Sequence, residues 1–348
     1  MYFENSIVFL VAIPIIITWF LLDIIRKASL KLRVLTASNK KLIKEKIIPS
    51  TGGIALFISW LFIIFINFLF VDTLTELNLY IYAFSGFIIA IVGFYDDINE
   101  LPSLVKLLLQ ILVFFILINA KDSLLNTFDG LFDIYELNQT SSLIISLIFF
   151  LIIINSFNSI LKSDYIIISI SILFLSVVSY HYYKINYQYL PLIISFIFSL
   201  IIYFIYSYLT NKRINLGYTG SQGLGLTIAT ISISWMNFNH PIYNYVYLDN
   251  FILLFILISY PSLNYIYLLI KKYFLINNLS KNNLRSNNKS KINYLLSFIF
   301  LGVYILSLIL LNTYLFNNII DEIKLILNFI FILILIFLFD RYKLNSIN

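Results

Sequence analysis

The sequence predicts an all-α, polytopic membrane protein with about eleven transmembrane helices, and three observations predict it. Of the 348 residues, 61% are hydrophobic and only 11% charged, whereas soluble domains carry about 25% charged residues. The apolar residues fall in runs of roughly 20, the length a helix needs to cross the hydrocarbon core. Those runs are rich in Ile, Val, Phe and Tyr, which favour strands in water. In lipid, a lone segment satisfies its backbone only as a helix. The chain has no cysteine, so disulfides and thiolate chemistry are excluded.

The first run, about 6–25, is too long for a signal-peptide core and no basic stretch precedes it, so it reads as a retained span. The basic loop 26–51 follows and closes on Pro49-Ser50-Thr51-Gly52-Gly53. Spans are expected at about 52–71, 78–95 and 103–119. The second of these runs into Asp96 and Asp97, and the third carries Lys106 and Gln110 near its start. The loop 120–141, with Asp122, Asp129, Asp133 and Glu136, is longer than a connector needs and is expected as a small hairpin or interfacial helix. Further spans are expected at about 142–160, 165–181, 188–209, 215–235, 248–270, 293–312 and 323–340. No repeat or soluble segment interrupts them, so residues 1–348 read as a single membrane domain.

Charge orients this arrangement. If the loop 26–51 is cytoplasmic, twenty of the twenty-three Lys and Arg residues lie on that side, and only Lys121, Lys184 and Lys324 fall outside. By the positive-inside rule the N-terminus is external and the C-terminus cytoplasmic. The unusual polar elements then share the cytoplasmic face.

Carboxylates at a membrane edge are costly and imply a use, a partner or water, which draws attention to Asp96 and Asp97. Asn155 and Asn158 are one helical turn apart and share a face, with Asp164 close behind. The stretch Gly217-Tyr-Thr-Gly220-Ser221-Gln-Gly-Leu-Gly225 is a glycine-rich turn entering a helix, which can offer backbone N–H groups to an anion. Gly52-Gly53 and this stretch equally suit close helix packing. Asn155 and Asn158 equally suit interhelical hydrogen bonding. The shared face favours a site for an anionic ligand.

At these residues the chain resembles the polyprenyl-phosphate N-acetylhexosamine-1-phosphate transferases (glycosyl transferase family 4). Gly93-F-Y-Asp96-Asp97-I-N-E-L-P-S-L-V-Lys106-L-L-L-Gln110 carries the family's G-x-x-D-D…K…Q pattern. Asn155-S-F-Asn158-S-I-L-K-S-Asp164 is similar to its N-A-x-N-x-x-D-G-x-D-G motif. Leu216-Gly217-Y-T-Gly220-Ser221-Q-G-L-G is similar to its F-x-G-D-x-G-S-x-x-L-G motif. The resemblance implies transfer of a sugar-1-phosphate from a UDP-sugar to polyprenyl (undecaprenyl) phosphate, for cell-surface polysaccharide or cell-wall assembly in a bacterial inner membrane. Beside the bilayer it implies those two substrates as partners, no nucleic acid, and Mg²⁺ (or Mn²⁺) as cofactor. Asp96, Asp97 and Asp164 are then the expected catalytic and metal-binding residues. Lys106, Gln110, Asn155, Asn158, Gly217, Gly220, Ser221, Gly52 and Gly53 are the expected substrate-binding residues. The oligomeric state is open.

Departures from the family pattern fall on the chemistry. Tyr218 stands where the family has its metal-ligand Asp, and Leu161, Lys162 and Tyr165 replace the first acid and both glycines of the D-G-x-D-G run. Pro261-Ser-Leu-Asn264 has an amide for an acid, and Lys291-Ile-Asn-Tyr294 aligns with a histidine-rich motif without a histidine. His181 and His240 fall on the outer side. An active transferase with a rebuilt site and a pseudoenzyme that binds lipid phosphate or a glycan-assembly partner both follow. An ion transporter is disfavoured, because no interrupted helices recur in two related halves.

Overall fold

The computed structural model describes residues 2–32, 49–70, 77–120, 123–128, 134–159, 164–184, 190–210 and 214–237, with scattered positions between 254 and 330. Among them are eight complete helices and no strand. These are α1 (Tyr2–Leu32), α2 (Gly52–Phe70), α3 (Leu77–Ile98), α4 (Ser103–Leu117), α5 (Gln139–Ser159), α6 (Asp164–Lys184), α7 (Leu190–Leu209) and α8 (Gly217–Met236). Helical residues also occur between 254 and 265 and between 323 and 330, within the spans expected there. The span expected at 293–312, the loop 271–292 with Lys291–Tyr294, Leu161, Lys162, Lys212, Arg213, Asn264 and His240 lie outside the described residues.

Seven helices begin and end within a few residues of the expected spans. The exception is α1, which runs from Tyr2 to Leu32 where a span of 6–25 is expected. At 1.5 Å per residue it is about 46 Å long, against roughly 30 Å of hydrocarbon. That is longer than a crossing needs, and its last turns carry Arg26, Lys27 and Lys31. Within them Lys27 Nζ lies 2.6 Å from Asp23 Oδ2 one turn back, a pairing that suits a helix leaving lipid for water.

Four described stretches are long and apolar enough to cross a membrane, Leu79–Ile98, Gln139–Ser159, Asp164–Tyr183 and Leu190–Ser207, while Gly52–Phe65 and Ser103–Leu117 are shorter apolar helices. The surface agrees with a lipid solvent: Phe62, Phe65, Phe84, Ile91, Leu108, Phe115 and Ile148 are all exposed.

α8, expected as a span, is not among the four. It is rich in Gly, Ser and Thr, and fifteen of its twenty residues are buried. It is shielded by α2, α3 and α5, which pack around it. Helices in lipid associate by close packing of small residues rather than by the hydrophobic effect. A Cβ on Gly53 would overlap the backbone of Gly220, one on Gly93 would lie 2.5 Å from Thr219 Cα, and one on Gly225 would lie 2.8 Å from Ile154 Cα. Each glycine is therefore where another helix crosses α8 at backbone distance.

Successive helices alternate in direction. The C-terminal ends of α1, α3, α5 and α7 meet the N-terminal ends of α2, α6 and α8 at one end of the bundle, through Ser29–Thr51, Asp97–Thr219, Asn158–Ser221, Asp164–Leu216 and Tyr206–Asp23 contacts. Below that layer the core is aromatic and aliphatic, with Phe114, Phe150, Phe157, Phe174 and Tyr203 all fully buried.

The loop 120–141 shows no helix in its described parts before Gln139. Its two limbs meet where Leu137 N–H donates to Asn126 O at 2.9 Å.

Candidate functional site

The site grows from the way α8 begins. A helix leaves its first N–H groups without partners, and a Ser, Thr, Asp or Asn at the N-cap normally takes one of them. Here the residue before α8 is Leu216, which makes no side-chain cap. The partner comes from α3 instead. Tyr218 N–H donates to Asp97 Oδ1 at 2.9 Å, Thr219 N–H to Oδ2 at 3.3 Å, and the Thr219 hydroxyl to Oδ2 at 2.9 Å. Asp97 is only 3% exposed, and three donors plus the positive end of α8 offset its charge.

Gly217 makes the approach possible. Its φ is +71°, a conformation that side chains other than glycine's rarely adopt. A Cβ there would lie 2.7 Å and 2.9 Å from the two Asp97 carboxylate oxygens and would overlap Ser50 O. One residue earlier, Leu216 N–H donates to Asp164 Oδ2 at 2.7 Å. Asp164 opens α6, so carboxylates from two helices flank the same turn.

Adjacent helical residues project about 100° apart, and Asp96 accordingly faces elsewhere. Its Oδ1 accepts from Leu101 N–H at 2.7 Å, closing the α3–α4 turn. Its Oδ2 lies 2.7 Å from Lys106 Nζ, with the Asp96 side chain wholly buried and Lys106 21% exposed. Lys106 Nζ also sits 4.4 Å from the centroid of the Tyr218 ring, within cation–π range. Asp96 and Asp97 are therefore not a dyad. One holds α4 through a lysine, and the other holds α8 through its backbone.

The amides bind one another and the helices around them. Asn155 Nδ2 donates to Gln110 Oε1 at 2.9 Å and Gln110 Nε2 donates back to Asn155 Oδ1 at 3.4 Å, joining α4 to α5. Ser221 Oγ donates to Asn158 Oδ1 at 2.7 Å, joining α8 to α5. Gly52 N–H and Gly53 N–H donate to Asn215 O at 2.9 Å and Leu216 O at 2.8 Å, while Asn215 N–H donates to Pro49 O at 2.8 Å. The Pro49–Gly53 motif and the turn before α8 thus form one clasp. Gly220 packs against Gly53 inside it.

The N–H groups that the sequence offers to a ligand anion are in large part taken by the protein's own carboxylates. Among the described residues, the face of Lys106 remains open, as does a shallow apolar cleft that begins at Gly53, Thr219 and Gly220 and runs past Leu56, Trp60 and Gly223. A Cβ on Gly223 would meet nothing within 4 Å.

A divalent metal held by Asp96, Asp97 and Asp164 does not fit this donor set. A hard cation needs several oxygens with free lone pairs around one point. Asp97 already accepts three hydrogen bonds, Asp96 accepts one and faces an ammonium, and Tyr218 presents a ring rather than an acid. Among the described residues no three His, Cys, Asp or Glu side chains cluster as a metal site.

Sequence reading missed Thr219 as a hydroxyl donor to Asp97 and Tyr218 as a platform for Lys106. The signal for the first was available: a helix beginning after Leu216 lacks a local cap, so a distant one is required. Tyr203, whose hydroxyl donates to Ile214 O at 3.0 Å and so steadies the turn before α8, carried no signal. Gln222 is fully buried with neither amide atom hydrogen-bonded, and nothing in the structure explains it.

Residues 79–236 match the family model described as Glycosyl transferase family 4. At the family level this points to a polyprenyl-phosphate sugar-1-phosphate transferase, a family that generally uses a divalent metal. No curated protein matches the chain. The matched segment spans α3 to α8 and contains every candidate site residue except Gly52 and Gly53.

Proposed function

We propose that this glycosyl transferase family 4-like chain is a membrane phosphoglycosyl transferase, one domain over its whole length, working at the cytoplasmic face of a bacterial inner membrane. The observation that carries the reading is the convergence of Asp96, Asp97, Asp164 and Lys106 from three helices on the start of α8. Its location at the end of the bundle that also holds Arg26, Lys27 and Lys31 supports a cytoplasmic face.

In the reaction a phosphate oxygen of polyprenyl phosphate bonds to the β-phosphorus of a UDP-sugar. The bond from that phosphorus to the bridging oxygen breaks, and the oxygen leaves with its electron pair on UMP. The catalytic task is positioning and charge stabilisation, since two polyanions must meet. Lys106 is placed to offset phosphate charge. Asp97 and Asp164 fix the turn beside it, and the apolar cleft that starts at Thr219 suits the first isoprene units of the carrier. The Gln110–Asn155 and Ser221–Asn158 pairs hold α4, α5 and α8 in register around it.

A second reading, capture of lipid phosphate without turnover, is favoured by one observation. The carboxylates that would do chemistry are engaged in holding α8 and Lys106. The test is UMP release by the purified full chain in detergent with undecaprenyl phosphate and a panel of UDP-sugars, with and without Mg²⁺ or Mn²⁺. Release that is lost in Lys106→Met, with the fold retained, is the expected result. Bound lipid phosphate with no UMP in any condition selects the second reading. Neither binding nor UMP ends both.

A further inference from the structure

We propose that the ammonium of Lys106, held in place by the ring of Tyr218, is the resident cation of this centre and takes the position a divalent metal would need. The inference rests on the reading above, that the ligand carries a phosphate. Three observations carry it.

The first is the seat of the lysine. Its Nζ lies 2.7 Å from Asp96 Oδ2 and 4.4 Å from the Tyr218 ring centroid. An ammonium is a compact charge with three donors. The carboxylate attracts it as an ion pair, the aromatic face stabilises the charge from another side, and the 21% exposure of the side chain leaves an edge for a ligand oxygen. A flexible four-carbon stem would otherwise sample many positions, and the ring restricts it to this one.

The second is the state of the acids. A metal arriving here would have to displace Lys106 from Asp96, or strip Asp97 of the Tyr218 and Thr219 N–H groups and thereby uncap α8. Either exchange leaves buried polar groups unpaired, which is expensive in a lipid-surrounded protein.

The third is the chemistry of position 218. A neutral phenol is a poor ligand for a hard cation, but its ring is a good partner for an ammonium. Tyr218 is thus a positioning residue that suits this centre to a lysine. Repulsion between an arriving phosphate and the acids is moderated, since Asp96 is paired with Lys106 and Asp97 faces the positive end of α8.

The experiment has a metal arm and a lipid arm, both on the purified full chain. Mn²⁺ is titrated in metal-free buffer and free ion is read by electron paramagnetic resonance. No saturable binding up to about 1 mM is expected. Undecaprenyl phosphate adducts are then measured by native mass spectrometry with excess EDTA or with Mg²⁺, and equal occupancy is expected. Tyr218→Phe keeps the ring and is expected to bind like the wild type. Tyr218→Leu is expected to weaken binding about tenfold, the scale of one desolvated cation–π contact. Lys106→Met, which preserves the stem, is expected to lose the adduct, and Lys106→Arg to retain it. A purely structural role for the lysine would not be rescued by charge alone.

Stoichiometric Mn²⁺ binding that is lost in Asp96→Asn overturns the inference. So do adducts that vanish in EDTA, or a Tyr218→Leu protein that binds as well as Tyr218→Phe. Adducts seen only with metal overturn this inference and leave the proposed function standing. No adduct in any condition overturns both.

Discussion

The two ends of the helix bundle join their loops and helices with different chemistry. At the far end the chain between α4 and α5 is pinned by neutral groups. Asn126 N–H donates to Asn237 Oδ1 at 3.0 Å and Asn237 Nδ2 donates to Leu124 O at 2.6 Å. Leu125 N–H donates to Ser146 Oγ at 2.8 Å, and Ser142 Oγ to Leu125 O at 2.6 Å. Nearby, the Tyr182 and Ser234 hydroxyls are 3.0 Å apart, and the His181 and Trp235 rings meet at a tilt with centroids 5.3 Å apart. At the site end the equivalent joints use Asp96, Asp97, Asp164 and Lys106. The far end shows that joining loops to helices here does not require charge. Charged groups cost more to bury than amides and hydroxyls, and the buried acids Asp96 and Asp97 both lie at the site end.

That contrast can be broken or sharpened by mutation, beginning with the largest effect. Gly53→Leu drives a side chain into the backbone of Gly220, which cannot yield. We expect a loss of about 3 kcal/mol or more, read as a collapse of the detergent melting temperature, with Gly53→Ala milder but still severe. A tolerated Gly53→Leu would show that α2 and α8 are not at backbone contact.

Asp97→Asn tests whether the cap of α8 depends on charge. The amide still offers one oxygen, while its NH₂ faces either the Tyr218 N–H or the Thr219 N–H and hydroxyl, and about 2 kcal/mol is the expected loss in thermal or denaturant unfolding. Asn237→Ala at the far end removes two neutral hydrogen bonds and should cost about 1 kcal/mol, with lipid-phosphate binding unchanged. Equal effects on binding from both substitutions would erase the functional difference between the ends.

Gly223→Ala carries the smallest stability effect, within about 0.5 kcal/mol, because its Cβ enters open space. It narrows the apolar cleft beside Thr219. A change in carrier-length preference without a change in melting temperature would identify that cleft as a lipid path.

How much of this was readable beforehand depends on the range of the physics involved. The helices were legible because a span in lipid is a local property: length and apolarity decide it. The extension of α1 to Leu32 was not, since beyond the bilayer the helix continues on its own hydrogen bonds and the Asp23–Lys27 pair. The candidate site was legible as a set of residues on one face. Its partners were not. Asp96 and Asp97 stand side by side in the chain, and only their different directions on α3 send one to Lys106 and the other to α8. Gly53 and Gly93 look like generic small residues until Gly220 and Thr219 are found against them.

The sequence by itself therefore determined the class of the molecule, the approximate bounds of the described helices other than α1, and the set of polar residues that gather at one end of the bundle, because periodicity, apolarity and charge act over a few residues. The tertiary structure decided which acid meets which donor, that α8 is capped from another helix, and that the Tyr218 ring faces the Lys106 ammonium. Those outcomes depend on distances between residues about a hundred positions apart, such as Asp97 and Tyr218 or Lys106 and Tyr218. Close packing settles such distances, and no local pattern records them.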